Sequence, residues 1–291
     1  MSEIVAINQI FEYNGRNPFH IYNIIGNQTQ DRNLLLNHWH TELELVFSFR
    51  EHSRHYIDGI CHIGENQKLI IVNSESVHSI IPDESYKNSS EIIAVVLLIS
   101  QRYLKERIPN IENPYFLMPK GESRIEICQL MEYISKYATS HQGEETANLY
   151  IKGLVDLLLF YMCEDGVQSK DMVLPINYQK NIERLRGILS YIQNHYKEPL
   201  IQTEIAKKFY FSSEYFSRFF KKSTGFTFVE YVNQYRVQQA KNDILYTDQT
   251  ILEIALDHGF SDSRRLIQSF KKQYGITPLQ YRIQERKNSK I

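Results

Sequence analysis

Cysteine is scarce in this chain of 291 residues. The three present, Cys61, Cys128 and Cys163, are odd in number and far apart. That argues against a disulfide framework or a zinc finger and fits a reducing cytoplasm. A long hydrophobic run is also missing. The longest, IIAVVLLI at 92–99, is far too short to span a bilayer, so no membrane partner is expected. The opening MSEIVAINQIFEYNG lacks the basic start and apolar core of a signal peptide. No sign of charge dominates, since 33 Lys and Arg stand against 34 Asp and Glu.

That balance hides a division. Residues 176–291 hold 19 Lys/Arg and 11 Asp/Glu, a net +8, which leaves −9 for residues 1–175. Such asymmetry suggests a polyanion-binding module fused to a different one. Solvated charges placed by chance are the alternative on charge alone.

The two halves also differ in period. Up to about residue 100 the chain reads as strands. LELVFSF, KLIIVN and EIIAVVLLI are apolar and β-rich, and Asp58-Gly59 inside HYIDGICHI is a hairpin signal. Short strands at this spacing suggest a small barrel or sandwich. Residues 122–163 switch to helical spacing, with Ile127, Leu130, Met131 and Ile134 on one face. LYIKGLVDLLLFYMC is apolar almost all round, more than one surface helix needs, and calls for cover from the barrel or a second copy of the chain. The polar stretch EDGVQSKDMVLPIN at 164–177 reads as a linker. Helices follow, with capping boxes Thr227/Glu230 and Thr250/Glu253, Gly259 as a helix stop, and Thr277-Pro278 opening the last helix.

Within that helical half one unit occurs twice. FKKSTG at 220–225 returns as FKKQYG at 270–275. Ala206 falls on Ala255 at an offset of 49, and from Ser212 onward the offset is 50, so the second copy has one extra residue in its turn. Phe216 matches Leu266, Phe220 matches Phe270, and Tyr231 matches Tyr281. Each copy is a short helix with a small Ala, a tight turn, and a helix of about ten residues, the helix-turn-helix pattern. In the first copy Phe216, Phe219 and Phe220 face inward, so Glu214, Ser217, Arg218 and Lys221 project outward. In the second Leu266 and Phe270 face inward, and Arg264, Arg265, Gln268 and Lys271 project outward. An outward stripe of Arg, Gln and Lys suits a major groove: Arg pairs with guanine, Gln with adenine, and Lys neutralises phosphate. A solvated basic face is the alternative for one copy, and the repetition argues against it. Two such helices about 34 Å apart would enter successive major grooves, with the helix from about Phe228 to Tyr246 as spacer.

On these residues the stretch 185–283 resembles the DNA-binding domain of the AraC family of bacterial transcription regulators. The resemblance rests on IAKKFYFSSEYFSRFFKKSTGFTFVEYVNQYRVQQAKNDIL and ILEIALDHGFSDSRRLIQSFKKQYGITPLQYR. It implies two helix-turn-helix units joined by a long helix, with base contacts at Glu214, Ser217 and Arg218, then at Ser263, Arg264, Arg265 and Gln268. The family often has an aromatic pair and an Arg where this chain has Arg265-Leu266 and Gln268. The second helix therefore reads a different base pattern or contacts mainly backbone. The resemblance further implies a double-stranded operator, RNA polymerase as partner, a homodimer, and activation as the usual logic.

HWHTELEL at 38–45 is the chemically richest phrase of the first half. In a strand His38, His40, Glu42 and Glu44 would share a face, and His78 could meet them across a barrel. Such a set suits a divalent metal or hydrogen bonding to sugar hydroxyls. The region resembles the cupin barrel that serves many AraC-type regulators as sensor, which implies a small effector, most often a sugar, with no metal or cofactor. Trp39 and Tyr56 could stack on a sugar ring. The expected organisation is α+β and multidomain: a cupin-like barrel at 1–120, a helical dimerisation element at 121–165, a linker at 166–178 and an all-α domain with two helix-turn-helix units at 179–291. The expected function is that of a cytoplasmic, effector-controlled regulator rather than an enzyme. Two alternatives stay open: a metal-dependent cupin enzyme with a DNA-binding tail, and a constitutive regulator whose barrel serves dimerisation.

Overall fold

The structure is a computed structural model that describes residues 18–25, 35–49, 53–62, 68–81, 85, 90–141, 145–164 and 166–288. The opening segment MSEIVAINQIFEYNG lies outside them. Among the described residues, eight strands form the two main sheets: β1 (Phe19–Ile25), β2 (Leu35–His38), β3 (Leu43–Ser48), β4 (Arg54–Ile57), β5 (Ile60–His62), β6 (Leu69–Val72), β7 (His78–Ile81) and β8 (Ile92–Ile99). They form two antiparallel four-stranded sheets, ordered β1-β8-β3-β6 and β2-β7-β4-β5. Val46, Ile70, Val72, Val96 and Leu98 of the first sheet meet Ile57 and Ile80 of the second. The expected hairpin is present: β4 and β5 are joined by Asp58 and Gly59, both at positive φ, as a tight two-residue turn requires.

The first sheet is buried on both faces, which explains its unbroken apolar runs. Its second face, with Leu45, Phe47, Leu69, Val95 and Leu97, packs under α2 (Gly121–Ser140) and α3 (Glu145–Glu164). The predicted stripe Ile127, Leu130, Met131 and Ile134 is buried there. Ile151, Val155, Leu158 and Met162 of α3 face inward with it, whereas Leu149, Tyr150, Leu157 and Phe160 are exposed. Among the described residues, Thr146–Glu164 is the helix long and apolar enough to cross a membrane. The longest uninterrupted apolar run, 92–99, is strand β8.

Between the sheets and α2 lie α1 (Gln101–Arg107) and β9 (Pro114–Phe116). The stretch expected as a linker carries structure: β10 (Val167–Ser169) pairs with β9, and α4 (Lys170–Val173) follows. The remaining helices are α5 (Ile176–His195), α6 (Gln202–Lys208), α7 (Ser213–Thr224), α8 (Phe228–Tyr246), α9 (Ile251–Asp257), α10 (Ser263–Tyr274) and α11 (Pro278–Asn288). Both predicted capping boxes form, Thr227 with Glu230 and Thr250 with Glu253. Two cores hold these helices. One gathers α5, α6, α7 and the start of α8, and takes in Leu36 of β2 and Val77, which immediately precedes β7. The other gathers the end of α8 with α9, α10 and α11.

Candidate nucleic-acid interface and a buried histidine cluster

The two helix-turn-helix units are α6–α7 and α9–α10. Their small residues Ala206 and Ala255 are fully buried where the helices meet. The backbone repeats with the sequence: Phe211 N donates to the Ala206 carbonyl at 2.8 Å, and Phe260 N to the Ala255 carbonyl at 2.9 Å. The extra residue of the second turn is Ser261, since the N-caps are Ser212 and Asp262. Gly225 and Gly275 end α7 and α10 in the left-handed region, both at φ 79°.

Phe216, Phe220, Leu266 and Phe270 are fully buried, as their spacing predicts, while Phe219 is half-buried. This turns the opposite faces outward. Glu214, Ser217, Arg218 and Lys221 on α7 are exposed, as are Arg264, Arg265, Gln268 and Lys271 on α10; Ser263 is half-exposed at its first turn. The positive ends of the two helices are both capped, α7 by Ser212, which accepts from Tyr215 N at 3.3 Å, and α10 by a charged residue. Asp262 caps α10, accepting from Arg265 N at 2.9 Å, and its carboxylate lies 3.9 Å from Arg265 Nε. Glu214 is in the first turn of α7, where a negative charge favours the helix dipole.

One positioning residue escaped the sequence reading. Arg236 of α8 is buried and donates through Nε to the Tyr196 carbonyl at 2.7 Å and through Nη2 to the Glu198 carbonyl at 2.8 Å. Its partner in the repeat is Arg286, which donates to the carbonyls of Leu245 and Thr247. The offset of 50 between Tyr231 and Tyr281 also relates Arg236 to Arg286, so the signal was present.

The second site lies between the sheets. His38, His40, Glu44 and His78 each bring one ligand atom within 4.8 Å of the others. Glu44 Oε2 is 2.9 Å from His40 Nε2 and 3.2 Å from His78 Nε2. The three Nδ1 atoms are all engaged elsewhere, at 3.1 Å from the Leu36 carbonyl, 3.2 Å from the Glu42 carbonyl and 3.0 Å from the Ser76 carbonyl. A carbonyl only accepts, so each Nδ1 is a donor; Nε2 of His40 and of His78 faces Glu44, and an imidazole that also carries a proton there is a cation donating to the carboxylate. Burial alone would raise the Glu44 carboxyl, but the His78 charge and the hydrogen bonds from His40 and His78 hold it well below the ordinary range. Burial, then the charges of His78 and His40, push His38 well down. For His78 burial acts downward, and the Glu44 charge and hydrogen bond overcome it to raise the imidazole. His55 on β4 is buried with them and is pushed down to about 4, chiefly by burial.

The cluster forms for a reason other than strand alternation. The chain bends at Thr41 and Glu42, so His38 and Glu44 belong to different strands and different sheets. Glu42 stands aside, its carboxylate 3.6 Å from His40 Nδ1. Trp39 and Tyr56 do not line the cluster. Trp39 packs on the first helix-turn-helix core with the Arg186 guanidinium 5.3 Å from its ring centre. The Tyr56 ring lies against Gly225 at the end of α7. Both aromatics face the helical half because β2 and β4 lie in the sheet that carries it.

Comparison with known proteins places this architecture. A family profile described as a helix-turn-helix domain matches residues 205–284. An HTH-type transcriptional regulator of Staphylococcus aureus (strain MRSA252) is 26% identical over 78% of this chain, and the chain spans about 30% of that protein's length. The HTH-type transcriptional activator RhaS of Mannheimia succiniciproducens is 25% identical over 84% of this chain and 88% of its own. The C-terminal domain of the two-component response regulator yesN of Fusobacterium nucleatum is 38% identical, covering 33% of this chain and 93% of that one, with a TM-score of 0.31. With its paired helix-turn-helix units, the matched segment 205–284 is an AraC-type DNA-binding domain of the kind found in transcription regulators.

Proposed function

We propose that the chain is a sequence-specific regulator that binds double-stranded operator DNA through α7 and α10, under the control of a ligand held at the histidine cluster. The observation that carries the DNA part is the pair of outward faces, Glu214, Ser217, Arg218 and Lys221 on α7 and Ser263, Arg264, Arg265, Gln268 and Lys271 on α10, set on two copies of one buried framework. Phosphate contacts by lysine would fix register, and Arg and Gln would read base edges. Residues 1–120 act as the sensor, 121–165 as the dimerisation element and 179–291 as the DNA-binding domain. Leu149, Tyr150, Leu157 and Phe160 on the outer face of α3 are the surface a second copy would cover. Activation through RNA polymerase, in the cytoplasm, is the supported logic, since a relative matching most of the chain is named an activator.

A small polar effector, a sugar or oligosaccharide, is the first reading for the cluster: buried imidazoles and a carboxylate offer fixed donors and acceptors to hydroxyls in a cupin-like barrel. One observation favours a second reading. His38, His40, His78 and the Glu44 carboxylate each bring one ligand atom together while every Nδ1 is tied to a carbonyl, the arrangement that orients imidazoles toward a divalent transition metal. His38, His40, Glu44 and His78 would then hold the ion, which would supply positive charge and open coordination positions. The decisive measurement is metal content of protein purified without a histidine tag, followed by thermal shift across a carbohydrate panel. Stoichiometric metal lost on His40→Ala establishes the second reading; a sugar-dependent shift without metal establishes the first; neither result leaves the barrel a dimerisation unit. Retardation of upstream DNA lost on Arg218→Ala with Arg264→Ala supports the DNA reading, and no retardation by the wild type defeats it.

A further inference from the structure

The histidine cluster and the first helix-turn-helix unit share backbone. His38 Nδ1 donates to the Leu36 carbonyl, and the Leu36 side chain is buried in the core of the first unit. This double use depends on an irregularity in β2. Leu35 pairs with Ile80 and His38 with His78, so three steps along β2 match two along β7. The extra residue makes a bulge, which re-aims side chains on either side of it. Leu36 is thereby turned to the helices while His38 is turned to the cluster. The next residue, Asn37, accepts through its carbonyl from the Tyr231 hydroxyl of α8 at 2.9 Å.

The second histidine repeats the scheme. His78 Nδ1 donates to the Ser76 carbonyl, and Val77 between them is fully buried in the same helical core. Val77 also exchanges hydrogen bonds with Asp58: its N donates to Asp58 Oδ1 at 2.8 Å, and Asp58 N donates to its carbonyl at 2.7 Å. Asp58 opens the β4–β5 turn, whose Gly59 is seated on Ser223 of α7 so closely that a Cβ there would lie 3.1 Å from the Ser223 Cα. The third histidine joins through its carbonyl, which accepts from Glu75 N at 2.7 Å; the Glu75 carboxylate pairs with Arg186 of α5 at 3.2 Å. The core of the second unit includes no residue of either sheet among the described residues.

We propose that filling of the cluster is reported to the first helix-turn-helix unit alone, through the β2 bulge, Val77 with the Asp58–Gly59 turn, and Glu75. This rests on the reading of the cluster as a ligand site and names how that site regulates. A ligand that draws these side chains together moves the imidazoles, and each histidine is tied by Nδ1 or by its backbone carbonyl to a segment gripping α5, α7 or α8. The ligand then shifts the presentation of α7 by whatever difference in affinity it has for the two arrangements. The second unit, carried on the far end of α8, keeps its orientation within its own core. The two recognition helices are thus set apart in role: one is adjustable and one is constant.

Native-state amide exchange on the full chain tests this, because it reads local opening segment by segment. Two cluster variants, Glu44→Gln and His38→Gln, are compared with wild type, so that one misfolded protein does not decide the matter. Exchange should accelerate by roughly threefold or more across residues 213–231 and stay unchanged across 263–281. Adding Tyr231→Phe, which cuts the link to Asn37, should shrink that acceleration. Unchanged exchange at 213–231 in a folded variant, equal loosening of both units, or an undiminished effect with Tyr231→Phe each overturns the proposal. A separate titration of wild type with zinc chloride isolates the ligand question. Failure to take up zinc defeats the metal reading of the cluster, and the variant comparison still decides the coupling.

Discussion

Arg236 and Arg286 hold equivalent places fifty residues apart. Each lays its guanidinium over the carbonyls at the end of the long helix that precedes its unit, Tyr196 and Glu198 for one, Leu245 and Thr247 for the other. The carbonyls at a helix C-terminus lack intrahelical partners and carry partial negative charge, so a cation there is both paired and favoured, buried at Arg236 and half-exposed at Arg286. The two arginines fix where each unit leaves its supporting helix.

Arg236→Met should therefore destabilise the first unit by about 2–4 kcal/mol, since it strands two carbonyls and removes a charge-assisted pair. Urea unfolding followed by tryptophan fluorescence measures it, because Trp39 packs on that core. A change below about 0.5 kcal/mol would mean that water replaces the guanidinium without cost.

The turns of the two units hold one position in the same left-handed conformation but in different surroundings. Tyr210 and Gly259 occupy it, at φ 61° and 78°. A Cβ on Gly259 would lie 2.7 Å from the Tyr196 and Lys197 carbonyl oxygens, so Gly259→Ala should cost at least about 2 kcal/mol from strain and clash. Tyr210 is 91% exposed and has little packing to lose, so Tyr210→Gly should stabilise by up to about 1 kcal/mol through relief of the left-handed backbone. Thermal unfolding of the two variants should move in opposite directions.

On DNA, Arg264→Ala should cost about 1–3 kcal/mol at the cognate site and relax preference at one position, if the side chain reads a base. An equal loss on every sequence would assign it to phosphate. Lys271→Ala should make the salt dependence of binding shallower by about one counterion; an unchanged slope removes it from the contacts.

Acid should unsettle the two-sheet half through His55. Its folded value of about 4 lies below the 6.5 of the free side chain, so the unfolded chain binds the proton first as pH falls. The stability His55 contributes is complete above pH 6.5 and is lost as pH drops from there toward 4, a window worth up to about 3 kcal/mol. His38 acts in the same direction, and His78, which is raised, acts in the opposite one. The test is the difference between wild type and His55→Gln in denaturant midpoints at pH 7.5 and pH 5. The variant should lose less on acidification, and parallel losses would place the acid sensitivity elsewhere.

The tail was legible in the sequence because its determinants are local. Capping boxes, a helix stop at Gly259 and a 3.6-residue apolar rhythm act within a few residues, and the repeat displays each device twice. The outward faces of α7 and α10 followed directly, since burying Phe216, Phe220, Leu266 and Phe270 leaves their neighbours no other side. In the first half the hairpin at Asp58-Gly59 was equally local and equally readable.

The rest depended on contacts between distant segments. That His38, His40, Glu44 and His78 meet was foreseeable from residue type, but not from the single strand that suggested it: a bend at Thr41–Glu42 and a bulge in β2 bring them together. Trp39 and Tyr56 have the chemistry of pocket walls and serve as packing for the helical half, because the outer face of their sheet is covered by α5, α7 and α8. Sequence determined the elements and their amphipathic faces; tertiary structure decided which faces met, since burial across the chain has no signature in local spacing.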